Sequence, residues 1–219
     1  MDTNSVSPLP RYSKGEEIMN MVTHIVGGGL GLAGAAGCLL TAWGSGIFPM
    51  VSTTVYAMAL VLVYTMSSVY HGLRQGKAKA VLQILDHCSI YLLIAGTYTP
   101  IVVRAFIPVY PAIGWGLFCG QWILTALAVT LTAIDMRKYK VFSQSCYIVM
   151  GWSIIFFLPQ ALDVLGPVGF GFLLAGGIAY TIGAVLFALG RKIKWMHPTF
   201  HIFVILGTLL QMVTVAFYL

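Results

Sequence analysis

Charge is what this chain has least of. Only 8% of its 219 residues are Asp, Glu, Lys or Arg, where a soluble domain carries about 25%. Apolar residues make up 59%, more than a water-soluble fold of this length can bury, so the composition excludes such a fold and places the chain in lipid. Cysteine is scarce too. Cys38, Cys88, Cys119 and Cys146 stand singly in apolar stretches with no CxxC pair. That argues against a thiolate metal site or a disulfide framework and leaves small buried hydrophobes as the default reading of all four. The first seventeen residues, MDTNSVSPLPRYSKGEE, have no apolar core of the signal-peptide kind, so the first hydrophobic segment is expected to stay as a membrane span. The formal charge of +6 comes without a basic patch interleaved with aromatics, and nucleic acid is not expected as a partner. Internal repeats and linkers are absent as well. The organisation expected is a cytoplasmic tail over residues 1–17 and one membrane domain over 18–219.

What the chain has is apolar length. Seven stretches, near 20–43, 50–71, 82–104, 112–134, 142–160, 167–189 and 198–218, are each long enough to cross a bilayer, which takes about 20 helical residues. The expected fold is an all-α integral membrane bundle of seven transmembrane helices. The run GGGLGLAGAAG at 27–37 reads as a small-residue face for close helix packing, since glycine is tolerated inside spans. Basic residues fall in alternate connections: Arg74, Lys77 and Lys79, then Arg137, Lys138 and Lys140, then Arg191, Lys192 and Lys194. The other connections hold only Arg104 and Asp163. The positive-inside rule puts the basic loops in the cytoplasm. The N-terminus, with Arg11 and Lys14, is then inside and the C-terminus outside.

An ionisable side chain in a span costs about 2.5–3.5 kcal/mol at mid-helix and is usually functional. The candidates here are His24, Ser67, His71, Asp86, His87, His197 and His201. Asp86 follows Lys79 by seven residues, His201 follows Lys194 by seven, and Ser67 precedes Arg74 by seven. At 1.5 Å per residue all three lie about 10 Å beyond their basic anchors, with His71 and His197 one turn shallower. Three separate helices thus place polar groups in one slab of the cytoplasmic leaflet. Ser67 and His71 are spaced i, i+4, as are His197 and His201, so each pair shares a helix face. Two histidines at that spacing can ligate one ion. A third imidazole from His71 completes a three-histidine zinc set with one open position. A purely structural alternative has these groups bonding only each other or backbone carbonyls. Pro198 disfavours helix at His197 and makes it a candidate N-cap. His24 reads as a satisfied interhelical histidine and His87 as packed or hydrogen-bonded. Glu16, Glu17 and Asn20 read as caps of the first span or as part of a cytoplasmic mouth.

The segments EEIMNMVTH at 16–24, SSVYH at 67–71, LDHCSIYLLIAGTYTPI at 85–101 and HPTFH at 197–201 together resemble the bacterial hemolysin III family. That family lies within the progestin and adipoQ receptor group, which includes the adiponectin receptors. The resemblance covers nearly the whole chain. It implies seven helices with the N-terminus inside and a zinc ion near the cytoplasmic side. It also implies His71, His197 and His201 as ligands, Asp86 holding a water, and Ser67 close by. The wider superfamily looks like membrane hydrolases, alkaline ceramidases among them, while the hemolysin name reflects lytic activity.

These readings converge on a zinc-dependent hydrolase in the bacterial cytoplasmic membrane. Its substrate is a membrane lipid with an amide or ester bond near the inner leaflet. Asp86 is the general base, and Ser67 donates a hydrogen bond to Asp86 or to the developing oxyanion. A receptor with structural zinc and a pore-forming lytic protein are the alternatives. A pore needs a continuous polar stripe, whereas the polar residues here gather at one end.

Overall fold

The computed structural model describes residues 9–10, 12–190 and 192–219. Arg11, Arg191 and residues 1–8 lie outside the described residues. Among the described residues eight α-helices follow one another: α1 (Lys14–Ala42), α2 (Ile47–Gly72), α3 (Lys77–Ile101), α4 (Ile107–Val109), α5 (Pro111–Ile134), α6 (Lys140–Trp152), α7 (Leu158–Leu189) and α8 (Met196–Phe217). A π-helical turn, Val102–Phe106, joins α3 to the single turn α4, and a 3-10 segment, Ser153–Phe157, joins α6 to α7. There is no strand among the described residues. Six helical runs are long and apolar enough to cross a membrane, and large apolar side chains such as Leu40, Phe48, Ile123 and Phe156 point outward. Outward-facing apolar surface on this scale belongs against acyl chains. The protein is an all-helical integral membrane protein.

The helix starts follow local chemistry. Ser13 and Glu16 form a reciprocal capping box, with Glu16 N donating to Ser13 Oγ at 3.3 Å and Ser13 N donating to Glu16 Oε2 at 2.9 Å. The box satisfies two of the amides that every helix start leaves free, and it sets the beginning of α1 at Lys14. The glycine-rich face does what its composition implies. Gly27, Gly31, Ala35, Cys38 and Ala42 recur every three or four residues and are all buried. A Cβ at Gly27 would stand 2.6 Å from Tyr64 Cε1, so the missing side chain is what admits the Tyr64 ring. The α1, α2 and α8 side chains share one core around Tyr56, Leu60, Tyr64 and Met212. A second core around Ile101, Phe106, Leu117 and Phe170 fills the far end.

One helical run needs separate treatment. From Lys140 to Leu189 the chain is helical for 50 residues, about 75 Å, more than twice the thickness of a hydrocarbon core. Gly166 breaks it, with φ 67° and ψ 165°, and Pro167 follows. A side chain at Gly166 would pay for the left-handed φ, and the proline withholds an amide from the preceding turn.

Two expectations are corrected. Cys119 is exposed, unlike the three buried cysteines, because it faces outward from α5 with the apolar exterior. Lys79, counted among the loop charges, turns inward instead of facing solvent. It is 1% exposed, and its Nζ lies 2.8 Å from Glu17 Oε1 and donates to Leu73 O at 3.0 Å.

Candidate functional site

Two helix ends build the site. The last turns of α2 carry Ser67 and His71, and the first turns of α8 carry His197 and His201; all four are buried. The start of α8 corrects the N-cap expectation for His197. Trp195 takes the cap position with a left-handed φ of 66°, and the helix begins at Met196. His197 is therefore helical and shares a face with His201 as the i, i+4 spacing requires. Pro198 is harmless there, because the first amides of a helix have no internal acceptor to lose.

These elements bring His71, His197 and His201 together. One ring nitrogen from each lies within 4.8 Å of the others. His71 Nε2 and His197 Nε2 are 3.3 Å apart. Two nitrogens that each sit about 2.0–2.1 Å from a tetrahedral ion stand about 3.3 Å from one another, so this pair has the separation a shared zinc needs. Three buried imidazoles at this spacing can hold a metal ion.

The opposite nitrogens are occupied. His71 Nδ1 is 2.7 Å from Glu17 Oε2. His197 Nδ1 is 3.2 Å from the Tyr12 hydroxyl. His201 Nδ1 lies 3.1 Å from Asn20 O and 3.1 Å from Thr23 Oγ1. The Glu17 carboxylate is in turn held by Lys79. Asn20 Nδ2 sits 3.3 Å from His71 Nδ1, and Asn20 Oδ1 has no partner among the described residues. His24 departs from its expected role. It is buried and stacks on the His201 ring at 3.6 Å, and neither of its ring nitrogens has a hydrogen-bond partner among the described residues. Sequence reasoning missed the pairing of Tyr12 with His197 and took Glu17 for a cap or mouth residue. The available signal was the series Glu17, Asn20 and His24, which falls on one face of α1 at site depth.

Asp86 enters from α3. Its carboxyl is hydrogen-bonded by the Ser67 hydroxyl. Its side chain is 16% exposed, and Oδ2 is 3.9 Å from His87 Nδ1. The His87 Nδ1 bonds Gln83 O at 2.9 Å. Ser67, Asp86, His197 and His201 share the wall of a cavity of about 600 Å³. Apolar side chains of α3, α6, α7 and α8 line the rest, among them Ile94, Ile155, Leu174 and Val204. Trp152 Nε1 donates to Thr181 Oγ1 at 3.1 Å, tying α6 to α7 across it. The arrangement sets a polar, metal-competent corner at one end of a greasy chamber.

The comparisons with known proteins agree with the placement in the membrane. The family model described as haemolysin-III related matches residues 12–212. The chain is 35% identical to Hemolysin-3 of Bacillus cereus over 217 residues, 99% of this chain and 97% of the relative. It is 32% identical to the Hemolysin-3 homolog of Bacillus subtilis (strain 168) over 204 residues, 93% and 94% of the two chains. With the match running from Tyr12, beside His197, to Met212, beyond the whole histidine cluster, the chain belongs to the haemolysin-III related family.

Proposed function

We propose that this protein is a zinc-dependent membrane hydrolase that cleaves an amide or ester bond of a lipid near the cytoplasmic leaflet. The observation that carries the reading is the 3.3 Å approach of His71 Nε2 to His197 Nε2 beside an apolar cavity walled by Asp86 and Ser67. His71, His197 and His201 would hold a zinc ion, which when bound would supply Lewis-acid polarisation and acidify water. Asp86 takes a proton from the attacking water and returns it to the leaving amine or alcohol. Ser67 donates to the Asp86 carboxylate and fixes its orientation. The apolar cavity takes the acyl chain and keeps bulk water from the reacting bond.

The reading includes seven spans. Gly166 and Pro167 divide the long run into a fifth span reaching Leu165 and a sixth reaching Leu189. The histidine cluster lies at the end of the bundle that carries Arg74, Lys77, Lys192 and Lys194. The positive-inside rule makes that end cytoplasmic, with the N-terminus inside and the C-terminus outside. The Bacillus relatives favour the bacterial cytoplasmic membrane. A grouping with the adiponectin receptors rests on the motif resemblance alone.

The relatives' names favour a second reading, a lytic protein. The polar groups gather at one end and the cavity beyond them is mainly apolar, which suits lipid better than a column of water. The test is metal analysis of the purified protein with His71→Ala and His201→Ala variants, then incubation with ceramides and other lipids. The wild type should hold zinc and release fatty acid, the histidine variants should lose zinc, and Asp86→Ala should keep the metal without turnover. Undiminished zinc in the histidine variants removes the site. Dye release from lipid vesicles without any lipid cleavage moves the function to the lytic reading.

A further inference from the structure

The three candidate ligands come from α2 and α8, yet among the described residues the partners of their Nδ1 atoms all fall within residues 12–23, a stretch that supplies no ligand. Tyr12 meets His197 Nδ1, Glu17 meets His71 Nδ1, and the Asn20 carbonyl meets His201 Nδ1. Resting on the metal reading of the histidines, we infer that residues Tyr12 to Asn20 act as an outer clamp that sets the tautomer and ring angle of all three imidazoles. An imidazole that ligates through Nε2 carries its proton on Nδ1, and an acceptor there fixes the ring and raises its basicity. Glu17 is the strongest of the three acceptors, being a carboxylate at 2.7 Å. The Asn20 carbonyl, though inside α1 and already accepting from Thr23 Oγ1 at 3.0 Å, has lone-pair capacity for a further donor, and Thr23 Oγ1 adds a second contact to the same His201 nitrogen. With His71 donating to Glu17, a half-turn of the Asn20 amide aims its unpartnered Oδ1 at the same N–H.

The segment is itself fastened. The capping box sets its helix start, Glu16 Oε1 accepts from Trp195 N at 2.9 Å, and buried Lys79 neutralises Glu17. The Trp195 contact joins the clamp to the residue that caps α8, so the angle of α1 and the entry of His197 are set together. Tyr12, Glu17 and Asn20 are positioning residues. Metal affinity in this protein therefore depends on the seating of α1, not only on the ligands.

The experiment is zinc titration of the full chain in detergent micelles against a chromogenic chelator, with the melting temperature of the metal-free chain measured in parallel. Wild type, Glu17→Gln, Tyr12→Phe, the double variant Glu17→Gln with Lys79→Met, and His71→Ala are compared. The wild type should bind one zinc, and Glu17→Gln should bind about 10–100-fold more weakly, with a smaller loss in Tyr12→Phe. Glu17→Gln leaves the buried Lys79 charge unpaired, so its melting temperature should fall, and Lys79→Met should restore it without restoring affinity. Wild-type affinity in both single variants overturns the inference while leaving the histidine site standing. Recovery of affinity together with melting temperature in the double variant also overturns it, because Glu17 would then act only by pairing Lys79. A wild-type chain that binds no zinc, like His71→Ala, overturns the metal reading and the clamp with it.

Discussion

Gly27→Ala is a small change with a computable effect. A Cβ at that position would stand 2.6 Å from Tyr64 Cε1, 2.9 Å from Ile205 Cγ1 and 3.0 Å from Tyr64 Cδ1. The Tyr64 ring cannot yield easily. It is 2% exposed, its hydroxyl donates to Thr208 Oγ1 at 2.9 Å, and its edge abuts the His24 ring at a centroid separation of 5.2 Å. The new methyl therefore pushes α1 away from α2 at a cost of about 1–3 kcal/mol for overpacking. Alanine also gains up to about 1 kcal/mol in helix propensity over glycine, which would blur the result if read alone. Gly29→Ala removes that ambiguity: it makes the same chemical change where nothing lies within 4 Å. The difference between the two variants isolates the clash. At about 2–4 °C per kcal/mol for a chain of this size, Gly27→Ala should melt about 2–12 °C below Gly29→Ala in thermal unfolding in detergent. Coincident melting curves would refute the claim that contact between Gly27 and the Tyr64 ring sets the α1–α2 approach.

Two further predictions use other parts of the molecule. Stripping the metal with a chelator should lower the melting temperature, and zinc restored to about 100 times its dissociation constant should return about 2.7 kcal/mol of stability; a melting curve indifferent to zinc counts against a bound ion. Tyr98→Phe should cost about 1–3 kcal/mol, because the Tyr98 hydroxyl accepts from Ile154 N at 3.1 Å and donates to Gly151 O at 3.0 Å, and its loss leaves the buried Ile154 amide unpaired. Unchanged unfolding of Tyr98→Phe would mean that the amide finds another acceptor.

Much of this architecture was readable from composition. The bundle of long apolar helices was legible because the hydrocarbon thickness imposes a length on any helix that crosses it, although the described residues give six such helical runs where seven spans were expected, the fifth and sixth stretches being one helical run. The histidine triad was legible because helical rise converts sequence distance from a basic loop into depth, and the structure does bring His71, His197 and His201 together. What failed was local geometry decided by tertiary contact. Pro198 was expected to push His197 out of the helix, yet Trp195 takes the cap two residues earlier. Lys79 counted as a loop charge, and only the folded chain shows it turned inward to Glu17. His24 was expected to find a hydrogen-bond partner and stacks on His201 instead. The partnership of Tyr12 with His197 spans 185 residues, and no local pattern encodes a contact of that range.

The large cavity has a consequence for how such a protein diversifies. Its far walls come mainly from α6 and α7, whereas the groups on the outer nitrogens of the histidines all come from the N-terminal end of α1 and the residues just before it. Substitutions at Ile155, Leu174 or Val185 can thus remodel the space offered to a guest molecule without disturbing the cation corner. Such a division lets the chamber change shape while the three imidazoles keep their mutual spacing.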